Sequence, residues 1–254
     1  MNALPLTGRV ALVTGGSGDI GGGIARALAD AGADVAITWL GHAQGADATL
    51  QAINACGRRA ILVQLDQRDP ASIDACVKRL TDEAGRLDIL VNNAAWNIGI
   101  PFADLDRLDA DTWDRVLETN LRGPFLLARG FARMLKSSGA GHIVNIASTG
   151  GIAPASSSIA YSSSKAALIH LTRCLAVALA PEVSVNCVAP GLVEGTRMAR
   201  RLPDEIARMA RQQALLGRAG QIGDIASQVL TFVTSTSISG QVMAIDGGLP
   251  LAMR

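Results

Sequence analysis

Aromatic residues are scarce: three Trp, one Tyr and four Phe in 254 residues. So few rings offer no obvious stacking platform for a sugar. An excess of one charge is missing too, because 23 Lys plus Arg stand against 22 Asp plus Glu. Such a balance suggests no polyanion partner, so no nucleic-acid binding is expected. No apolar run reaches the roughly 18 residues of a membrane span, and the N-terminus lacks a signal-peptide pattern. The expected setting is the cytoplasm, away from membranes. Cysteine is sparse, and Cys56, Cys76, Cys174 and Cys187 show no CxxC spacing. With His42, His142 and His170 scattered as well, no metal site is expected, and the thiols read as small reduced core residues. Linkers, repeats and low-complexity tracts are absent. One domain covering residues 1–254 is therefore expected.

What is present is a steady alternation of strand and helix. Arg9-Val10-Ala11-Leu12-Val13-Thr14 reads as a short buried strand. It runs into Gly15-Gly16-Ser17-Gly18-Asp19-Ile20-Gly21-Gly22-Gly23 and then a helical pattern over 24–29. Further strands are expected at 34–39, 60–65, 88–91, 142–147, 183–188 and 242–245. Helices are expected over 43–56, 70–84, 109–136, 159–179 and 204–233, the last broken near 217–223. Asp69 reads as an N-cap, with Pro70 at the first helical position. This spacing predicts an α/β fold, a doubly wound parallel sheet of about seven strands with helices on both faces. Ligands bind such a sheet at the carboxyl ends of its strands, and Thr14, Asn92, Ser148 and Pro190 all follow expected strands.

Two motifs carry chemistry. A glycine-rich turn between the first strand and the first helix is the setting of a dinucleotide fingerprint. Its glycines let the backbone approach a pyrophosphate, and the helix N-terminus offers unpaired N–H groups. The second motif is Tyr161-Ser162-Ser163-Ser164-Lys165. Residues i and i+4 share a helix face, which can bring the Lys165 ammonium close to the Tyr161 phenol. A free tyrosine has a pKa of about 10, and a nearby cation can lower it by roughly 1–3 pH units. The phenol is then expected to act as an acid or base near neutral pH. Ser148 offers a neutral hydroxyl for the same substrate oxygen.

Thr14-Gly15…Gly21, Asn92-Asn93-Ala94, Asn120, Ser148, Tyr161/Lys165 and Pro190-Gly191 follow the order and spacing of the short-chain dehydrogenase/reductase family, which the chain resembles from about Gly8 to Gly248. Within that family it resembles the 3-oxoacyl-carrier-protein reductase and polyol dehydrogenase branch. The resemblance implies a Rossmann fold, Tyr161 as catalytic acid/base, and Lys165 as its modulator and nicotinamide-ribose ligand. It further implies Ser148 as substrate-oxygen anchor and Asn120 as holder of a proton-relay water. Cofactor contacts are implied at Gly15, Ser17, Asp19, Ile20, Gly21, Trp39, Asp66, Asn92, Ala94, Tyr161, Lys165, Pro190, Gly191 and Val193.

Several positions depart from that pattern. Trp39 stands where an NAD-selective acid would end the second strand, and Asp34 begins that strand at the wrong end. Gly18 stands where an arginine is common in NADP-type relatives. Loss of the acid and an uncharged pocket favour NADP(H), with NAD(H) as the alternative. Asp19 replaces a usual glycine. Facing a pyrophosphate it would be repulsive by about 4 kcal/mol at 4 Å and an effective dielectric of 20. It is therefore expected to point away and cap the helix beginning near Ile20. Ala95 replaces the glycine that usually ends the Asn-Asn-Ala motif. Thr196 comes one residue late, leaving Val193 as the candidate backbone contact.

Substrate walls are expected at Trp96-Asn97-Ile98, at Ile152-Ala153-Pro154 and in a lid at about 195–216. The lid carries Arg197, Arg200, Arg201, Arg208 and Arg211. They read as a solvated face or, more sharply, as attraction for an anionic substrate. The favoured function is an NAD(P)-dependent oxidoreductase that interconverts a small-molecule ketone and a secondary alcohol. The alternative is a catalytically silent nucleotide sensor or scaffold of the same fold. Retention of Asn120, Ser148, Tyr161 and Lys165 together argues against it. A homotetramer is expected from the resemblance, from the broadly apolar helix 159–179, and from the apolar tail Leu249-Pro250-Leu251-Ala252-Met253.

Overall fold

The computed structural model describes residues 4–154 and 156–253. Strand β1 (Val10–Val13) is buried along its whole length. Ala11 and Val13 face one core and Val10 and Leu12 the other, the mark of a parallel sheet covered on both sides. The chain continues through α1 (Asp19–Asp30), β2 (Asp34–Trp39), α2 (Ala43–Ala55), β3 (Ala60–Gln64), α3 (Pro70–Ala84) and β4 (Ile89–Asn92). Next come α4 (Ala110–Leu117), α5 (Gly123–Ser137), β5 (Gly141–Ile146), α6 (Ile159–Leu179) and β6 (Val183–Pro190). The last part holds β7 (Val193–Glu194), α7 (Arg197–Arg200), α8 (Asp204–Gln213), β8 (Gly220–Gln221), α9 (Ile222–Thr234) and β9 (Val242–Ile245).

Among the described residues the main sheet has seven strands in the order β3-β2-β1-β4-β5-β6-β9. All its pairings are parallel. The order reverses between β1 and β4, which opens a crevice at their carboxyl ends. On one face α1 and α9 pack Ile24, Leu28, Val229 and Phe232 against the sheet. On the other, α3, α5 and α6 contribute Leu80, Leu127, Phe131 and Leu179. Pro70 starts α3 behind an Asp69 side chain that accepts from Ala71 N, as its sequence position suggests.

Two features depart from the expected elements. The helix expected over 109–136 is divided by a π-turn at Glu118–Arg122, with Asn120 at its centre. Hydrophobic periodicity does not register one wider turn inside a long helical pattern. The break expected near 217–223 contains β8, which pairs with β7 as a separate two-stranded ribbon. Among the described residues no helix is long and apolar enough to cross a membrane.

The amino edge of the sheet is closed by an ion-pair cluster. Asp88, immediately before β4, has a fully buried side chain. It accepts from Arg86 Nη2 at 2.6 Å, Arg86 Nε at 2.9 Å, Arg9 Nη1 at 3.0 Å and Val10 N at 2.8 Å. Nearby, His142, the second residue of β5, has Nδ1 2.7 Å from Ser184 Oγ, and burial pushes its pKa down to about 4.

Candidate active site

The glycine turn is built from both sides of the crevice. Thr14 Oγ1 accepts from Asn93 N at 2.9 Å and Ala94 N at 3.0 Å, tying the loop after β4 to the end of β1. Asn93 Nδ2 returns a bond to Thr14 O at 2.9 Å. Gly15 takes a left-handed φ of 64°, and its N–H donates to Thr38 Oγ1 at 3.1 Å. A Cβ on Gly21 would collide with Gly15 O, so the close approach of α1 to the turn requires glycine there.

Helix α1 begins at Asp19 with Gly18 as N-cap, and no side chain caps it. The expected capping role of Asp19 is therefore corrected. As the first helical residue, Asp19 lies past the position from which a side chain folds back onto the turn. Its Oδ2 instead accepts from Arg197 N at 2.6 Å. The first amides of α1 are left for an external anion, and together with the tight glycine turn they fit a dinucleotide's phosphates.

Beside the glycine turn, Trp39 ends β2 half-buried, with exposed Leu40 next to it. Asp34 stands at the opposite end of the strand and accepts from Arg59 N at 3.0 Å. His42 Nδ1 lies 2.9 Å from Ser17 O, joining the start of α2 to the glycine turn. The Asp66 carboxylate takes a forked contact from Arg68, with Nη2 at 2.7 Å and Nε at 3.1 Å. That hydrogen-bonded guanidinium holds its pKa below the usual carboxylate range. Ile20 follows Asp19 in the first turn of α1 and packs against the core.

The opposite wall is the start of α6. Ser158 caps the helix by accepting from Tyr161 N at 3.2 Å, which sets Tyr161 in the first turn and Lys165 one turn deeper. Lys165 Nζ is buried and donates to Ile146 O at 2.7 Å. It lies over the Tyr161 ring, 5.6 Å from the centroid. Burial lowers Lys165 to about 8, with the neighbouring Cys187 thiol opposing. Burial raises Tyr161 to about 12, with the nearby Ser148 hydroxyl opposing. The expected lowering of the phenol by its lysine is thus corrected: burial, not the ammonium, sets the direction of the shift. Desolvation disfavours both charged forms, and the ammonium is directed to a backbone carbonyl.

Asn120 is fully buried. Its Oδ1 accepts from Trp96 N at 2.8 Å, while Nδ2 donates to Trp96 O at 3.0 Å and Ser164 Oγ at 3.1 Å. Ser164 Oγ donates in turn to Tyr161 O at 2.8 Å. The π-turn thereby clamps Trp96 to the helix that carries Tyr161. Arg115 covers the Trp96 ring at 4.3 Å from its centroid. Ser157 bonds the Asn97 side chain, and Ile100 N donates to Ser157 O at 2.8 Å. The expected wall at 96–98 is therefore tied to the residue just before the Ser158 cap of α6.

Asn92 sits beneath the crevice. Its Nδ2 donates to Asn145 Oδ1 at 2.8 Å, and Asn145 Nδ2 donates to Thr172 Oγ1 at 2.9 Å. The Asn92 Oδ1 is buried and has no hydrogen-bond partner among the described residues. Pro190 ends β6 beside Ile245, and Gly191 N donates to Ile245 O at 2.9 Å. Val193 pairs with Gly220, and Thr196 Oγ1 is used locally, donating to Val193 O and capping α7.

The sequence reading did not single out Gln67, Ser164 or the Arg197 contact. Gln67 Nε2 donates to Ala94 O at 3.0 Å and Thr119 O at 2.6 Å, joining the Asn-Asn-Ala loop to the π-turn. Ser164, one residue before Lys165, had a usable signal: a polar residue on the buried side of an apolar helix needs a partner. The Arg197–Asp19 contact spans 178 residues and has no local signal.

A glycine turn at the switch point of a doubly wound parallel sheet defines a Rossmann-type nucleotide-binding protein. The chain belongs to the short-chain dehydrogenase/reductase family of oxidoreductases: the family model described as short chain dehydrogenase matches residues 9–207. The cis-4-hydroxycyclohexanecarboxylate dehydrogenase of Sinomonas cyclohexanicum is 38% identical over 244 residues, covering 94% of this chain and 96% of the relative. An NAD+-bound xylitol dehydrogenase structure superposes with TM-score 0.90 at 26% identity, covering 96% and 99% of the two chains. The NADPH-dependent 3-quinuclidinone reductase of Rhodotorula rubra gives TM-score 0.88 at 28% identity, covering 97% and 93%.

Proposed function

We propose that this enzyme interconverts a ketone and a secondary alcohol, with Tyr161 as general acid/base. The observation that carries this reading is the Ser158 cap that sets Tyr161 in the first turn of α6 at the crevice, with Lys165 buried one helical turn below. A bound nicotinamide dinucleotide supplies the hydride donor or acceptor. Ser148 and Tyr161 hold the substrate oxygen between two hydroxyls. Tyr161 gives that oxygen a proton in reduction and takes it back in oxidation. Lys165 supplies the positive charge that favours a phenolate, and at pH 7 it remains mostly protonated with its pKa near 8. Asn120 and Ser164 fix the Trp96 wall, and the relay-water role of Asn120 rests on the family resemblance. The glycine turn, Ser17, Trp39, Asp66, Asn92, Ala94 and the 190–193 loop form the cofactor crevice, and residues 195–216 act as its lid within one domain.

NADP(H) is the preferred cofactor in this reading, because Trp39 removes the carboxylate that would repel a 2′-phosphate. Among the solved relatives one is NAD+-bound and one NADPH-dependent, so the family allows either. Titration of the apoprotein with each dinucleotide decides the preference, and tighter NAD(H) binding overturns it.

The assembly is a homotetramer. Strand β9 lies at one edge of the sheet, and a groove of about 1000 Å³ runs beside it past Ile152, Ile169, Met243 and Met253. Val177 on α6 is 83% exposed and Leu251 71%, apolar surface that a second copy would cover. Light scattering tests this, and a mass near the 26.2 kDa of one chain contradicts it.

The activity is tested by following reduced-nicotinamide absorbance with ketones, hydroxy acids, polyols and 3-oxoacyl thioesters. Turnover of one class supports the reading. Silence across the panel with both cofactors, in protein that binds dinucleotide, favours the sensor reading.

A further inference from the structure

The 195–216 segment reaches the glycine turn through Arg197. Its backbone N–H donates to Asp19 Oδ2 at 2.6 Å, and its Nε lies 3.6 Å from the same oxygen. Its Nη2 is 4.0 Å from where a Cβ on Gly18 would stand. A guanidinium from a distant part of the chain therefore rests across residues 18–19, at the uncapped mouth of α1. Three other arginines of the segment are bonded within residues 194–211. Arg211 pairs with Glu194 at 2.6 Å, Arg208 with Glu205 at 3.9 Å, and Arg200 donates to Gly195 O at 2.7 Å. Thr196, buried and capping α7, fixes the backbone from which Arg197 departs.

We propose that Arg197 is a phosphate-binding residue for the dinucleotide, supplied by the lid and oriented by Asp19. This rests on the reading of the glycine turn as the dinucleotide site. Arginine presents five N–H donors on a planar fork. With Nε and the backbone turned toward Asp19, the Nη groups remain for a phosphate oxygen. The fork is held before the ligand arrives, which lowers the ordering cost of binding. As a simple ion pair the contact would contribute little, because the two side chains are 44% and 28% exposed. The same geometry accounts for an acid where an anion is to bind: its charge is directed to the arginine, which gives the diphosphate site a cation. Phosphate binding and lid position are thereby coupled.

Calorimetric titration with ADP and with adenosine tests the proposal, since only ADP carries the diphosphate. Arg197→Ala is expected to weaken ADP about tenfold, the size of a charge-assisted hydrogen bond, with adenosine affinity unchanged. In the Arg197→Ala background, adding Asp19→Asn is expected to recover ADP affinity severalfold, because an uncompensated carboxylate is removed. A second readout is trypsin cleavage after Arg200, Arg201, Arg208 and Arg211, which ADP should slow in the parent but not in Arg197→Ala. Equal ADP affinity in parent and Arg197→Ala, both folded by circular dichroism, overturns the proposal alone. Failure of the parent to bind ADP or either dinucleotide overturns the site reading and the proposal with it.

Discussion

The two edges of the central sheet both bury ionisable groups, and they treat them in opposite ways. At the amino edge, burial would raise the pKa of Asp88, yet hydrogen bonds from Arg86, Val10 N and Arg9 outweigh it and hold the carboxylate charged. At the carboxyl edge, Lys165 Nζ has only the Ile146 carbonyl, and burial drives both Lys165 and Tyr161 toward their neutral forms. A buried charge with its donors supplied serves stability. One left short of partners keeps a strained protonation equilibrium that a ligand can shift. The difference separates a structural staple from the pair to which we assign proton transfer.

The strongest way to break the comparison is Tyr161→Phe. It should lower turnover by about 10²–10⁴-fold, the usual worth of a general acid/base, while dinucleotide affinity and melting temperature stay near the parent values. Near-parental turnover on any accepted substrate would remove the assignment. Because Tyr161 is the chain's only tyrosine, its ionisation can be read directly from tyrosinate absorbance. The folded, cofactor-free enzyme should remain largely un-ionised at pH 10, where the chain in denaturant is about half ionised.

Lys165→Met should lose turnover and dinucleotide affinity together, because the proposed mechanism gives the same ammonium to the phenol and the nicotinamide ribose. Kinetics paired with binding titration check this, and loss of turnover with unchanged affinity would divide the two roles.

The contrasting change is Asp88→Ala. It should destabilise the fold by about 2–4 kcal/mol, since it leaves Val10 N unpaired and two arginines without their carboxylate. Denaturant unfolding measures that loss, and kcat/KM should be unchanged in the folded fraction. A large kcat/KM effect would show that the two edges are coupled.

The smallest expected effect is the pH response of His142. Its folded pKa of about 4 lies below the unfolded value of about 6.5. The unfolded chain therefore binds the proton more readily, and stability falls as pH drops through the window from about 6.5 to 4. The contribution is on the order of 2 kcal/mol after allowance for partial exposure. His142→Asn should flatten that limb of the stability–pH curve, and an unchanged slope would place the sensitivity elsewhere.

Much of the fold was legible locally. The strand expected at 34–39 and the helix at 159–179 coincide with β2 and α6, because each carries its own hydrophobic pattern and boundary chemistry. Asp69-Pro70 marked the start of α3 for the same reason. The positions following β1, β4, β5 and β6 lie along one sheet edge as the alternation predicts. Less legible was how the side chains are used there. Asn120 clamps Trp96, Gln67 bridges two loops, and Ser164 links the π-turn to α6. These bonds join segments 24 to 52 residues apart, beyond any periodic pattern.

By itself the amino-acid sequence determined the parallel α/β architecture, the glycine turn and the helical spacing of Tyr161 and Lys165, since these follow from local backbone preference and apolar periodicity. Only the tertiary structure decided the directions of the Tyr161 and Lys165 pKa shifts, the π-turn around Asn120 and the meeting of Asp19 with Arg197. Desolvation depends on everything packed around a group, and a contact across 178 residues exists only once the chain has folded.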